Sequence, residues 1–195
     1  MRRRAFDTIA TAIGVVLTLV LLVAGSLLMV GYSFANSNVH DQLAAQQIYF
    51  PAQGSDALKS PDIGPYLNQY AGQQLVTGAQ AQTYADHFIA VHLKEIGGGK
   101  TYAQVSTAAQ ADPTNTALQA QVDTLFKGET LRGMLLNAYA FWKLGQIALY
   151  AAIASFTLAA VMLALSVLGL LHLRRVPLEA ELLGNRRELK EPAVA

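Results

Sequence analysis

Cysteine is absent from the 195 residues, which excludes a disulfide framework, thiolate metal sites and a cysteine nucleophile. Charge is scarce as well: Asp, Glu, Lys and Arg make up 14% of the chain, where soluble domains carry about 25%. The formal net charge of +1 leaves no basic footprint, so no nucleic-acid partner is expected. Catalytic signatures are missing too. No G-x-S-x-G elbow, P-loop, H-E-x-x-H or dinucleotide fingerprint occurs. Gly97-Gly98-Gly99-Lys100-Thr101 ends like a P-loop but lacks its first glycine and any preceding strand, so it reads as a helix-breaking linker. No catalytic residue, cofactor or metal site is expected.

What remains is apolar: 53% of the residues are hydrophobic and the mean hydropathy is +0.31. No charge appears between Asp7 and Asp41, and the apolar run from Ile9 to Gly31 would span about 34 Å as a helix. A bilayer core is about 30 Å thick. Between Lys143 and Arg174 lies a second uncharged stretch, long enough to cross with a tilt. Neither run holds an ionisable residue in its core, which argues against a pore or carrier.

The cations fix an orientation. Arg2, Arg3 and Arg4 precede the first run; Arg174, Arg175, Arg186, Arg187 and Lys190 follow the second. The long intervening stretch carries only Lys59, Lys94, Lys100, Lys127, Arg132 and Lys143. By the positive-inside rule both termini are cytoplasmic and the middle is outside, with the lipid bilayer as the first partner. Tyr32, Phe34, Tyr139, Phe141 and Trp142 are placed as an aromatic belt at the outer interface. The expected fold is an all-α membrane protein with two transmembrane helices flanking an extracytoplasmic helical domain. Its divisions are a cytoplasmic N-terminus (1–8), helix 1 (9–33), the outer domain (34–143), helix 2 (144–173) and a cytoplasmic tail (174–195). Ser33-Phe34-Ala35 also fits a signal cleavage site, and Arg3-Arg4-Ala5-Phe6 part of a twin-arginine signal. The apolar run exceeds the roughly 7–15 residues of a signal core, which favours an uncleaved anchor. Either reading leaves the middle outside.

Within the middle, strand signals are weak and helix signals recur. Asn38 can cap a helix to about Ile48, or the first span can simply continue outward until Pro51. A loop and a short helix around Tyr66–Leu75 follow. The clearest helix starts at Thr77 or Gly78 and ends near Ile96. Thr101 with Gln104 forms a capping box for a helix to about Ala111, and another covers Thr116–Lys127 before Gly128. From Thr130 the pattern can run into the second span.

Histidine is the residue type that best supports chemistry here. Counting 100° per residue from Ala81, His92 falls on the apolar arc at about 20° and His87 off it at about 240°. His92 is expected as a core histidine and His87 as a solvated one. Glu95 can share a site with His92, but one such pair is short of a zinc site. His40-Asp41 reads as a surface pair, and His172 as a helix C-terminal residue at the inner headgroups.

The spans do carry small residues at helical spacing. Gly145, Ala148, Ala152, Ser155 and Ala159 step by three and four, and Ser166 and Gly169 resume that face. Thr11, Gly14, Thr18 and Gly25 form a looser counterpart. Such stripes let membrane helices approach closely. Intramolecular pairing is the first expectation, and a homo-oligomer or membrane protein partner is the other.

Four stretches, Arg2–Val16, Tyr32–Phe50 (YSFANSNVHDQLAAQQIYF), Tyr84–Tyr102 and Leu131–Ala151, together resemble a family of uncharacterised actinobacterial two-span membrane proteins. Some members have been named as an aromatic ring-opening dioxygenase small subunit, but no iron-ligand triad can be assembled here. The resemblance implies a bacterial plasma-membrane location and supplies no site residues. A non-catalytic accessory, scaffold or interaction subunit is the leading expectation. An extracytoplasmic sensor comes second; with only 174–195 after the second span, it would signal through a separate partner. A membrane-anchored enzyme using His92 and Glu95 is the remote alternative.

Overall fold

The computed structural model describes residues 3–175, so the tail residues Arg186, Arg187 and Lys190 lie outside it. The described residues are 81% helical and contain no strand. Two compact units divide it: a helix pair, described over 3–29 and 149–175, and a helical cluster, Val30–Ala148. Helix α1 (Arg3–Ala45) and helix α7 (Thr116–Leu173) contribute to both. At 43 and 58 residues they are long and apolar enough to cross a membrane. Only 17% and 22% of their most apolar windows are buried, whereas a core helix of a soluble protein is mostly covered.

In the helix pair, the small residues of the two runs face each other. Thr11, Gly14, Thr18 and Gly25 are buried on α1, as are Ala152, Ser155, Ala159 and Ser166 on α7. Helix α1 therefore occupies this face of α7. The contact is close enough that glycine is needed: a Cβ at Gly25 would meet the Phe156 ring at 2.8 Å, and one at Gly169 would meet Thr11 Oγ1 at 2.6 Å. Ser155 Oγ donates across the interface to the Leu21 carbonyl at 2.8 Å. The leucines and isoleucines around this seam point outward. Leu149, which the same helical count places off the stripe, is half-buried; Leu163 is exposed.

The helical cluster packs short helices against its own stretches of α1 and α7. These are α2 (Asp56–Lys59), α3 (Gly64–Leu67) with a 3-10 turn (Asn68–Tyr70), α4 (Gly78–Tyr84), a π turn (Ala85–Ile89), α5 (Ala90–Ile96) and α6 (Tyr102–Ala111). Leu67, Leu75, Leu125 and Val105 are its largest fully buried side chains. Gly145 belongs here, where a Cβ would meet that of Ala35 at 3.0 Å.

Several local expectations change. Asn38 caps nothing: it lies inside α1 and accepts a hydrogen bond from Gln42. The helix expected to reach Leu75 stops at Tyr70, and the chain then runs extended beside 48–51. Leu75 N–H donates to the Ile48 carbonyl at 2.8 Å and Phe50 N–H to Gln73 at 2.9 Å, forming an isolated antiparallel bridge, Tyr49 with Gln74. Gly128 does not end a helix. It sits within α7, where the Leu93 side chain packs into the space a Cβ would take.

Glutamine finishes many of the helix ends. Thr77 with Gln80 and Thr101 with Gln104 form complete capping boxes at α4 and α6. At the opposite ends, the Gln74 amide donates to Ala44 O of α1 at 2.8 Å and the Gln119 amide to Ala109 O of α6 at 3.1 Å. The Gln121 amide does the same for Ile96 O of α5. Ala109 O and Ile96 O have no partner within their own helix, and Ala44 O accepts otherwise only from Gln47 N–H of the following turn, at 3.1 Å. A long neutral amide reaching from a neighbouring element supplies one.

Candidate functional site

The π turn organises the polar side of the cluster. Its wide i to i+5 bond, Ala90 N–H to Ala85 O, inserts one extra residue per turn. Ala81, Ala85, Ile89 and Leu93 thereby stay on one buried face at a spacing of four, where a regular α-helix would drift around its axis. The same turn carries Asp86 and His87. Asp86 Oδ1 lies 3.2 Å from Arg132 Nη2, and Glu129 Oε2 lies 3.6 Å from Arg132 Nη1. This half-buried ion pair holds the π turn to α7. Residues 46 apart give no local sign of it.

His87 is not simply solvated. Its ring stacks on Tyr66 with centroids 3.5 Å apart and planes within 6°. The pair lines an open groove of about 590 Å³ with Asp62, Val91, Lys94, Glu95 and the Gly98–Gly99 backbone. Two carboxylates, an ammonium and an imidazole thus share one concave surface. Gly98 and Gly99 both adopt positive φ, which lets the chain turn away from α5 and leave the groove open.

His92 takes the other direction. Its Nδ1 donates to the Phe88 carbonyl at 2.7 Å, because a carbonyl can only accept. It ends an aromatic row running Tyr70, Phe50, Tyr84, Phe88, His92, with neighbouring centroids 4.5 to 5.4 Å apart. Burial in this row pushes the Tyr84 hydroxyl above its usual pKa. His92 is a packed histidine, bonded within its own helix rather than to Glu95. Among the described residues no hydrogen bond or ion pair joins the two, and Glu95 faces the groove with His87 instead. His40 and Asp41 form an exposed pair at 3.1 Å.

A second groove, about 380 Å³, lies between the cluster's parts of α1 and α7. Asn38 and Gln42 on α1, with Gln46 in the turn just after it, form its amide wall; Leu131, Met134, Ala138 and Phe141 form its apolar wall on α7. Met134 is 66% exposed and Phe141 46%.

The class defined by this architecture is an all-helical chain with two helices able to span a membrane and a helical cluster bearing grooves. Comparison with protein-family models, curated proteins and solved structures finds no match to the chain.

Proposed function

We propose that the chain is a multi-pass plasma-membrane protein of the two-span kind, with both termini cytoplasmic and the helical cluster outside, acting as a non-catalytic interaction subunit. The groove between α1 and α7 is the observation that carries the interaction reading. Leu131, Met134, Ala138 and Phe141 step by three, four and three, the spacing of a helix–helix seam; Leu131, Met134 and Phe141 are exposed, while Ala138 is half-buried against the core of the cluster. Beside them the amides of Asn38, Gln42 and Gln46 offer uncharged donors and acceptors. Such a surface suits an amphipathic helix of another membrane protein laid along it.

Two experiments test this. A photoreactive residue at Met134 in native membranes should give one discrete protein crosslink, while the same residue at exposed Tyr49 gives none. Leu131→Glu should abolish that crosslink. Crosslinks to lipid alone would remove the interaction reading. For topology, reporter fusions after Gly54 and Gly98 should read outside and a fusion after Pro192 cytoplasmic. A cytoplasmic reading at Gly98 overturns the orientation.

The Tyr66–His87 groove favours a second reading, an extracytoplasmic sensor acting through a separate partner. Its volume suits a small molecule, and convergent polar groups line it. A ligand that protects the groove, and loses its effect in Tyr66→Ala, would support the sensor over the subunit.

A further inference from the structure

We infer that the end of the helix pair bearing Arg4, Arg174 and Arg175 binds the phosphate headgroup of an anionic phospholipid from the surrounding bilayer. The inference rests on the membrane reading proposed above and holds whichever leaflet this end lies in. The two helices run antiparallel in a fixed register: Gly14 meets Ser166, Thr11 meets Gly169, and Asp7 stands 3.9 Å from His172. Arg4, three residues before Asp7, and Arg175, three after His172, therefore reach the same level of the pair. Residues three apart share a helix face. The Arg175 N–H also donates to the His172 carbonyl at 2.9 Å, which folds Arg175 back over that histidine.

The depth matches a headgroup. By the same register Ile9, where the first apolar run begins, is level with Leu171. Arg4 lies about 7–8 Å beyond Ile9 along the axis, and Arg174 and Arg175 about 5 Å beyond Leu171. The headgroup layer occupies about 5–7 Å on each side of the hydrocarbon. The seam is not sealed here. A cavity of about 260 Å³, lined at this end by Asp7, Ala10 and His172, opens beneath the arginines, and Met162 and Leu165 give it an apolar wall deeper down.

The charges select the ligand. Arg4, Arg174 and Arg175 are exposed, and among the described residues none of them forms an ion pair. Asp7 is the one carboxylate among the described residues of the helix pair, and its mostly buried side chain is already turned to His172. Three guanidinium groups thus outweigh it at one level. Guanidinium presents a planar fork that matches phosphate oxygens bidentately. A zwitterionic headgroup brings its own ammonium, which the arginines repel, whereas an anionic one keeps its net charge. An anionic lipid is therefore preferred over a neutral one.

The test is native mass spectrometry of the full-length protein from mixed micelles holding equal amounts of phosphatidylglycerol and phosphatidylcholine. The unmodified protein should retain phosphatidylglycerol with a preference on the order of tenfold, weakened by high salt during equilibration. Arg4→Gln, Arg174→Gln and Arg175→Gln combined should abolish the preference, and Lys94→Gln with Lys100→Gln, in the helical cluster, should keep it. The comparison of lipids and salts on the unmodified protein does not depend on how the variants fold. Equal retention of the two lipids, or an unchanged preference in the triple arginine variant, would overturn the assignment. Displacement of the lipid by excess inorganic phosphate would overturn it in favour of a free-anion site. Failure of the membrane reading looks different: alkaline carbonate would then release the chain from membranes, and neither lipid would be retained.

Discussion

Truncating Leu75 to Ala should destabilise the helical cluster by about 2–5 kcal/mol, the range for deleting a fully buried leucine side chain. Leu75 is 0% exposed although it belongs to no helix. Its backbone is fixed by the bond to Ile48 O, so the side chain cannot follow the collapse of the cavity that truncation leaves. Tyr49 flanks the same bridge and is 57% exposed. Tyr49→Ala should therefore change stability by less than about 0.5 kcal/mol. The single tryptophan, Trp142, packs against the core of the cluster and reports its unfolding by fluorescence. Denaturant titration of the two variants in mild detergent gives the comparison. Equal losses would mean that the extended segment does not direct Leu75 inward.

A comparable effect is expected from enlarging the helix seam. Ala152 is 0% exposed, and Ala152→Leu should cost about 1–3 kcal/mol through overpacking. Lipid is as apolar as leucine, so close contact and the Ser155 to Leu21 hydrogen bond, rather than burial of oil, hold this pair. Leu163→Ala, on the exposed side, should leave the thermal unfolding temperature unchanged. Leu149→Ala is a poor control, since that side chain is half-buried. If Ala152→Leu behaves like Leu163→Ala, the seam does not contribute to stability.

The parts of the structure legible in the sequence are those where one side-chain property decides the outcome locally. Thr77 and Gln80, or Thr101 and Gln104, announce a helix start because the capping atoms lie three residues apart. The stripe through Ala152, Ser155 and Ala159 is readable because two backbones can approach only where side chains are small. Gly128 misleads for the converse reason. A glycine that makes room for Leu93 looks the same in sequence as one that ends a helix. The π turn leaves even less trace, since one wide turn barely alters the apolar period over twenty residues. His87 within it stacks on Tyr66, where a regular 100° count places that ring in solvent. The Asp86–Arg132 pair and the cavity at Asp7 depend on segments distant in sequence meeting, for which single-chain patterning carries no signal.

The carboxamides that finish the helices of the cluster have a consequence for the conditions it tolerates. Helix ends neutralised by aspartate or lysine loosen when acid removes the charge or salt screens it. Gln74, Gln80, Gln104, Gln119 and Gln121 close five such ends with groups that neither titrate in the ordinary range nor attract counterions. Acidity and salinity can therefore swing widely in the surrounding medium while these termini stay shut.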